Sequence, residues 1–202
     1  MELDQNKHLD ANYWNSRWEQ GTSGWDIGYA SPAIVEYMQQ YPDKDAAILI
    51  PGCGNAYEAK ALLDMGFSNI TLIDIAPHAV EQLRSRYSNE PRINILHQDF
   101  FTLNGQFDLI IEQTFFCALN PELRPDYVTK TYSLLGPGGR IIGLLFDTEF
   151  EKQGPPFGGF KPEYDALFAP YYMVHTMERC TNSIPPRAGT ELFINLQKKT
   201  HE

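Results

Sequence analysis

The stretch Ala47-Ile48-Leu49-Ile50-Pro51-Gly52-Cys53-Gly54-Asn55 decides the fold. Its apolar run up to Pro51 reads as a buried strand, and Gly52 and Gly54 allow a sharp turn with close approach of the backbone to a ligand. Ala56 to Met65 follows with helical spacing, its apolar residues at Ala59, Leu62 and Leu63. Asn69 to Asp74 then reads as a second buried strand ending in a carboxylate. Strand, glycine loop, helix, strand, acid is the opening unit of a doubly wound sheet that binds an adenosine-containing ligand. Asp74 follows Gly54 at the spacing where such sheets place the acid that accepts from ribose hydroxyls.

The departures from the dinucleotide motif narrow the ligand. A G-x-G-x-x-G loop needs its third glycine so that the helix packs closely under a pyrophosphate. Counted from Gly52, that position is Tyr57, and its ring argues against NAD or FAD and hence against a nicotinamide oxidoreductase. An adenosine cofactor without phosphates needs only the glycine pair and the acid. S-adenosylmethionine is the candidate.

The chain has 202 residues, enough for one domain with a sizeable core, and residues 1–202 read as that single domain. The formal net charge is −10, which disfavours nucleic-acid and anionic-membrane partners, since both want a basic face. Cys53, Cys117 and Cys180 are scattered without metal-type spacing, and the five histidines show none either, so no metal site is expected. Reduced thiols, a polar start from Met1 to Asp10 and the lack of a long apolar run suggest a cytoplasmic monomer acting on a small molecule.

Along the chain, Met1 to Leu9 reads as frayed and Asn12 to Gln20 as a helix with Trp14 and Trp18 on one face. Ser31-Pro32 starts a helix that ends before Pro42. Past the opening unit, a helix from Pro77, strands at Arg92–His97 and Phe107–Glu112, and a helix over Pro121–Leu135 are expected, with Pro125 as the start or a kink. A Gly136-Pro137-Gly138-Gly139 turn leads to a strand from Arg140 to Phe146. The Gly- and Pro-rich run from Asp147 to Lys161 reads as a long loop over a site. A short helix from Pro162 to Phe168 and strands at Tyr171–Glu178 and Thr190–Lys198 complete the chain. The alternation implies an α/β, Rossmann-like, mostly parallel sheet with helices on both faces.

Ligands of such sheets bind beyond the carboxyl ends of the strands. Gly52, Gly54, Asp74 with its neighbour Ile75, Asp99-Phe100 and Gln113 fall there. Asp74 suits a ribose diol, and Asp99 suits the exocyclic amine of adenine. The Phe100 N–H suits a ring nitrogen and its ring the base, while Gln113 lies toward the cofactor's far end. All three tryptophans, Trp14, Trp18 and Trp25, precede the first strand, within residues 1–30. They read either as anchors of an N-terminal helix or as an aromatic lid whose indole faces attract a sulfonium.

The chain resembles the thiopurine S-methyltransferase superfamily, most of all its halide/thiol methyltransferase branch. The resemblance rests on Trp14-x3-Trp18, Gly24-Trp25-Asp26-x-Gly28, Ile50-Pro51-Gly52-Cys53-Gly54, Leu72-Ile73-Asp74-Ile75, Phe115-Phe116-Cys117-Ala118-Leu119, Pro121-Glu122-Leu123-Arg124-Pro125, Gly154-Pro155-Pro156-Phe157 and Pro186-Arg187-x-Gly189. It implies a class I methyltransferase with a seven-stranded sheet whose last strand is antiparallel, and S-adenosylmethionine as methyl donor, leaving S-adenosylhomocysteine. It further implies cofactor contacts at Trp14, Trp18, Trp25, Gly52, Asp74, Asp99 and Phe100, and at the position of Gln113, which is Tyr in the plant branch.

The reaction would be an in-line displacement at the sulfonium methyl, helped by a dry, preorganised site when the nucleophile is an anion. Arg187 is the candidate cation for holding a thiolate, with an exposed loop arginine as the plain alternative; Tyr172 could line the acceptor site or be an ordinary strand aromatic. Cys117 reads as packing. The segment Glu112-Gln113-Thr114-Phe115 lacks the Pro-Pro turn common to amine methylation in this fold, so a thiol, bisulfide, thiocyanate or halide is the expected acceptor. A small-molecule O- or N-methyltransferase, or a non-catalytic S-adenosylmethionine-binding protein, are the alternative readings.

Overall fold

The computed structural model describes residues 9–22, 24–152 and 154–200. The elements run α1 (Ala11–Glu19), α2 (Pro32–Gln40), β1 (Ile48–Pro51), α3 (Tyr57–Asp64), β2 (Ile70–Asp74), α4 (Pro77–Arg86), β3 (Ile93–His97), β4 (Phe107–Gln113), α5 (Arg124–Leu134), β5 (Leu135–Phe146), α6 (Lys161–Phe168), β6 (Tyr172–Arg179) and β7 (Glu191–Lys198). The expected frayed start falls outside the described residues, Leu9 excepted.

One seven-stranded sheet has the order β3-β2-β1-β4-β5-β7-β6. β1 pairs in parallel with β2 and β4, and β4 with β5. β7 is antiparallel to both β5 and β6, so it is the one reversed strand and β6 runs with the others. The order reverses at β1 and β4, and this switch point opens the crevice beside the glycine loop.

Side chains alternate across the sheet, and both faces are buried. Ile48, Ile50, Leu109 and Ile111 face a core shared with Ile34 and Met38 of α2, Leu62 of α3 and Leu83 of α4. Leu49 and Ile110 face the other core, with Tyr127 of α5 and Tyr164 and Phe168 of α6. Each such large side chain taken from water contributes about 1.5–3 kcal/mol.

One local alternative resolves, with Pro125 marking the start of its helix, and two expectations change in detail. Pro125 sits in the first turn of α5, where its missing N–H costs nothing, and a short 3-10 turn at Pro121–Leu123 precedes it. The expected Gly136-Pro137-Gly138-Gly139 turn lies inside β5. Leu135 already pairs with Phe107, and the register slips before Leu109 meets Arg140, so the glycines bulge from the strand. Ser31 stands at the start of α2 without a side-chain cap; its backbone N–H instead donates to the buried Glu58 at 3.0 Å.

Candidate active site

The glycine loop adopts left-handed backbone at Gly52 (φ +54°) and Gly54 (φ +50°). A Cβ built on Gly52 would lie 2.3 Å from Phe115 Cδ2, and one on Gly54 would lie 3.1 Å from Trp18 Cζ2. Both glycines are needed for conformation and for space. The loop is then fixed by the acid that ends β2. Asp74 accepts from the N–H of Gly54 and of Ala76, each at 2.9 Å. Burial holds its carboxyl above the usual carboxylate range, while these two N–H groups pull it back.

A cavity of about 850 Å³ opens at the carboxyl ends of the strands. Trp14, Trp18, Trp25, Gly52, Gly54, Asp74, Ile75, Asp99, Phe100 and Arg187 all line it. At one end stand the loop glycines, Asp74, and Asp99, which also caps the Phe101 N–H at 2.9 Å. Phe115 stands against Gly52 and Phe100, and beyond it the walls are mostly apolar: Leu119, Leu123, Phe146, Phe150, Pro155 and Pro156.

The tryptophans form one cluster. Trp25 meets Trp14 and Trp18 edge to face, with ring centroids 5.6 Å apart in each pair. The cluster is tied down at both ends. Asp26 accepts from Tyr57 Oη at 3.1 Å and from the Asn55 amide, linking the segment to the start of α3. Arg187 donates to the Trp25 carbonyl at 3.0 Å, linking it to the β6–β7 connection. Below it, Asn15 of α1 accepts from the N–H of His78, the second residue of α4, at 2.9 Å.

The wall after β4 is set by a buried carboxylate. Glu112 is fully buried; one oxygen accepts from the N–H of Phe115 (2.8 Å) and Phe116 (2.9 Å), the other from Tyr127 Oη (2.8 Å). Burial pushes its carboxyl up to about 7 against these donors. The loop after β5 is pinned in turn. Phe157 N–H donates to the Cys117 carbonyl at 2.7 Å. The buried Arg124 donates to the Gly158 carbonyl at 2.7 Å and to Glu163 at 2.9 Å, with its guanidinium 4.9 Å from the Phe116 ring centre. Thr148, Phe150, Pro155 and Pro156 of that loop reach the cavity, as its length and prolines led us to expect.

Two candidate residues are placed elsewhere. Tyr172 is the first residue of β6, which runs with the parallel strands, so it sits at the edge of the sheet opposite the cavity. It is buried and donates to Thr131 Oγ1 of α5 at 2.8 Å. Gln113 does not line the cavity; the next residue, Thr114, does, with left-handed backbone (φ +60°). Strand alternation puts Gln113 on the face opposite Glu112, and its Oε1 is buried without a hydrogen-bond partner. Cys117 lines the cavity, and burial pushes its thiol up to about 12.

Arg17 was not singled out from sequence, and Phe115, Leu119, Leu123, Pro155 and Pro156 entered only through the family motifs, with no site role assigned to them. Among the described residues no group of His, Cys, Asp and Glu could hold a metal ion, and no helix is long and apolar enough to cross a membrane.

Comparison with known proteins agrees with this geometry. Solved structures of similar fold include a Burkholderia thailandensis 1,6-didemethyltoxoflavin-N1-methyltransferase (TM-score 0.73, 19% identity, covering 94% of this chain and 87% of that one). Another is the magnesium protoporphyrin IX methyltransferase of Synechocystis (TM-score 0.74, 12% identity, 98% and 100%). At these identities they show the class I methyltransferase fold. A probable thiol methyltransferase of Arabidopsis thaliana is 33% identical over 162 residues, 78% of this chain and 71% of that protein. A thiocyanate methyltransferase of Brassica oleracea is 31% identical over 184 residues, 88% and 81%. The thiopurine S-methyltransferase family model matches residues 9–195, and the chain belongs to that family.

Proposed function

We propose that this S-adenosylmethionine-dependent methyltransferase acts on a small soft nucleophile: a thiol, bisulfide, thiocyanate or halide. The observation that carries the reading is the division of the cavity. Its lining carboxylates, Asp10, Asp74 and Asp99, belong to the strand-end and lid side. Among the described residues the acceptor end has no histidine or carboxylate in its wall. Glu112 stands behind that wall with its oxygens turned to Phe115, Phe116 and Tyr127. An ammonium or alcohol acceptor would need a general base within hydrogen-bond reach. A halide, thiocyanate or thiolate needs none, because it arrives as the anion.

The residues present fit the cofactor. Asp74 has lone pairs left after its two backbone bonds and would take the ribose diol. Asp99 and the Phe100 N–H would take the adenine edge, with Ile75 against the base. Trp14, Trp18 and Trp25 would cover the positive sulfur. When bound, the cofactor supplies an electrophilic methyl group on that sulfur.

The chain's own part is to orient and to exclude water. The latched tryptophans close one side, and Pro155, Pro156 and Phe150 close the other. Arg187 lines the cavity and would draw an anionic acceptor, although its guanidinium already holds the Trp25 carbonyl and faces Glu191 at 3.4 Å. A thiol's ordinary pKa of about 8.5 leaves a useful thiolate fraction near neutrality. The names of the thiol and thiocyanate methyltransferase relatives support the same acceptor class. We read the protein as one domain.

The test is methylation across a panel of aryl and alkyl thiols, bisulfide, thiocyanate, iodide, amines and alcohols. Product is expected from the soft nucleophiles, with rates rising with pH for the thiols but not for iodide. Transfer confined to amines or alcohols would overturn the reading.

A further inference from the structure

We infer that Glu191 is a positioning residue for methyl transfer: it fixes the Arg187 guanidinium where one side latches the tryptophan segment and the other stays open to an anionic acceptor. The inference rests on the acceptor reading above. Arg187 belongs to a short 3-10 turn, Pro185–Arg187, in the β6–β7 connection, so its own backbone does little to aim a long side chain. Glu191 and Phe146 aim it. Glu191 opens β7 and pairs with Phe146, the last residue of β5, so both stand on strand ends. Glu191 Oε1 lies 3.4 Å from one terminal nitrogen of Arg187, and the centre of the Phe146 ring lies 5.5 Å from the guanidinium carbon. The other terminal nitrogen donates to the Trp25 carbonyl at 3.0 Å.

Burial singles out Glu191 as the partner. Its side chain is 3% exposed and that of Arg187 is 12% exposed, so water screens neither charge well. The second oxygen of Glu191 is buried and makes no hydrogen bond. Glu58, another buried carboxylate close enough to feel Arg187, already accepts from the Ser31 N–H at 3.0 Å. A buried ion pair adds little net stability, because desolvation offsets the attraction; what this pair fixes is geometry. A guanidinium carries five N–H donors. With one on Trp25 and one toward Glu191, donors remain for a ligand, and Arg187 lines the cavity. One cation therefore ties the lid to a strand end and faces the acceptor.

The experiment measures kcat and KM separately for thiocyanate and thiophenol at saturating S-adenosylmethionine. The chains are the wild type, Glu191→Asp and Glu191→Gln, each made again with Arg187→Met, and the melting temperature of each is recorded. Glu191→Asp keeps the charge but draws the carboxylate back by about 1.5 Å, one carbon–carbon bond. Glu191→Gln keeps the reach and loses the charge. Glu191→Asp is expected to raise the acceptor KM about 10-fold with kcat within about 3-fold, and Glu191→Gln to stay within about 3-fold on both. With Arg187→Met in place, Glu191→Asp should add no further loss. Four outcomes would overturn the assignment while leaving the acceptor reading intact: Glu191→Asp behaving as wild type, Glu191→Asp unfolding, Glu191→Gln losing as much as Glu191→Asp, or the loss persisting without Arg187. A wild-type chain that turns over none of the soft nucleophiles would overturn both.

Discussion

Tyr57 donates its phenolic hydrogen to Asp26 across 3.1 Å, and Asn55 donates to the same carboxylate oxygen. The ring that replaces the third glycine of a dinucleotide loop thus has a positive use, as the latch of the tryptophan segment on the start of α3. Tyr57→Phe should leave the fold intact and weaken S-adenosylmethionine about 3- to 10-fold, the size of one net hydrogen bond. Asp26→Ala, which removes both bonds and the Gly28 N–H contact at 2.7 Å, should cost more. Calorimetric titration of the two variants decides it, and wild-type affinity in both would mean that the latch is idle.

Trp18 lies over Gly54 and meets Trp25 edge to face. If the indoles act on the sulfonium charge, Trp18→Ala should weaken S-adenosylmethionine by about 1–2 kcal/mol. The neutral product, S-adenosylhomocysteine, should lose less, because only packing is removed for it. The ratio of the two losses is the informative quantity. Equal losses would assign Trp18 to packing alone.

The opening unit and the glycine loop were legible because their signals are local. An apolar run, a glycine pair and an acid at fixed spacing each constrain only neighbouring residues. The reversed β7 came from the family resemblance, since nothing in a short apolar run states its direction. Tyr172 shows the consequence. Alternation marks it as a buried strand aromatic, but only the parallel sense of β6 puts it at the edge away from the ligand. Gln113 lies one residue before the cavity wall. The turn that ends β4 is made by Thr114, and which side chain meets the cavity depends on the Glu112 bonds to Phe115 and Phe116. Arg17 carried no signal because an arginine on an amphipathic helix is ordinary until the fold sets it at a cavity.

Gly52 offers a sharper test of the loop. Its left-handed backbone costs a side-chain-bearing residue about 1–2 kcal/mol, and an added Cβ would run into the Phe115 ring at 2.3 Å. Gly52→Ala should therefore lower the melting temperature and displace Phe115, with S-adenosylmethionine affinity falling at least tenfold. A variant that melts and binds like the wild type would contradict the close approach of β1 and the segment after β4.

Glu112 predicts a dependence of stability on pH. Burial raises its carboxyl from 4.5 to about 7, so between these values the native chain holds a proton that the unfolded chain has released. Stability contributed by this group is then full below about pH 4.5, falls as pH rises through the window, and is flat above it. The shift corresponds to roughly 3 kcal/mol as an upper bound, since three donors already favour the ionised form. Glu112→Gln keeps an acceptor for the Phe115 and Phe116 N–H groups but cannot ionise. Its stability relative to the wild type should therefore improve from pH 5 to pH 8, measured by denaturant unfolding at each pH. A difference that stays constant across that range would mean that Glu112 is ionised in the native chain throughout, with the three donors outweighing its burial.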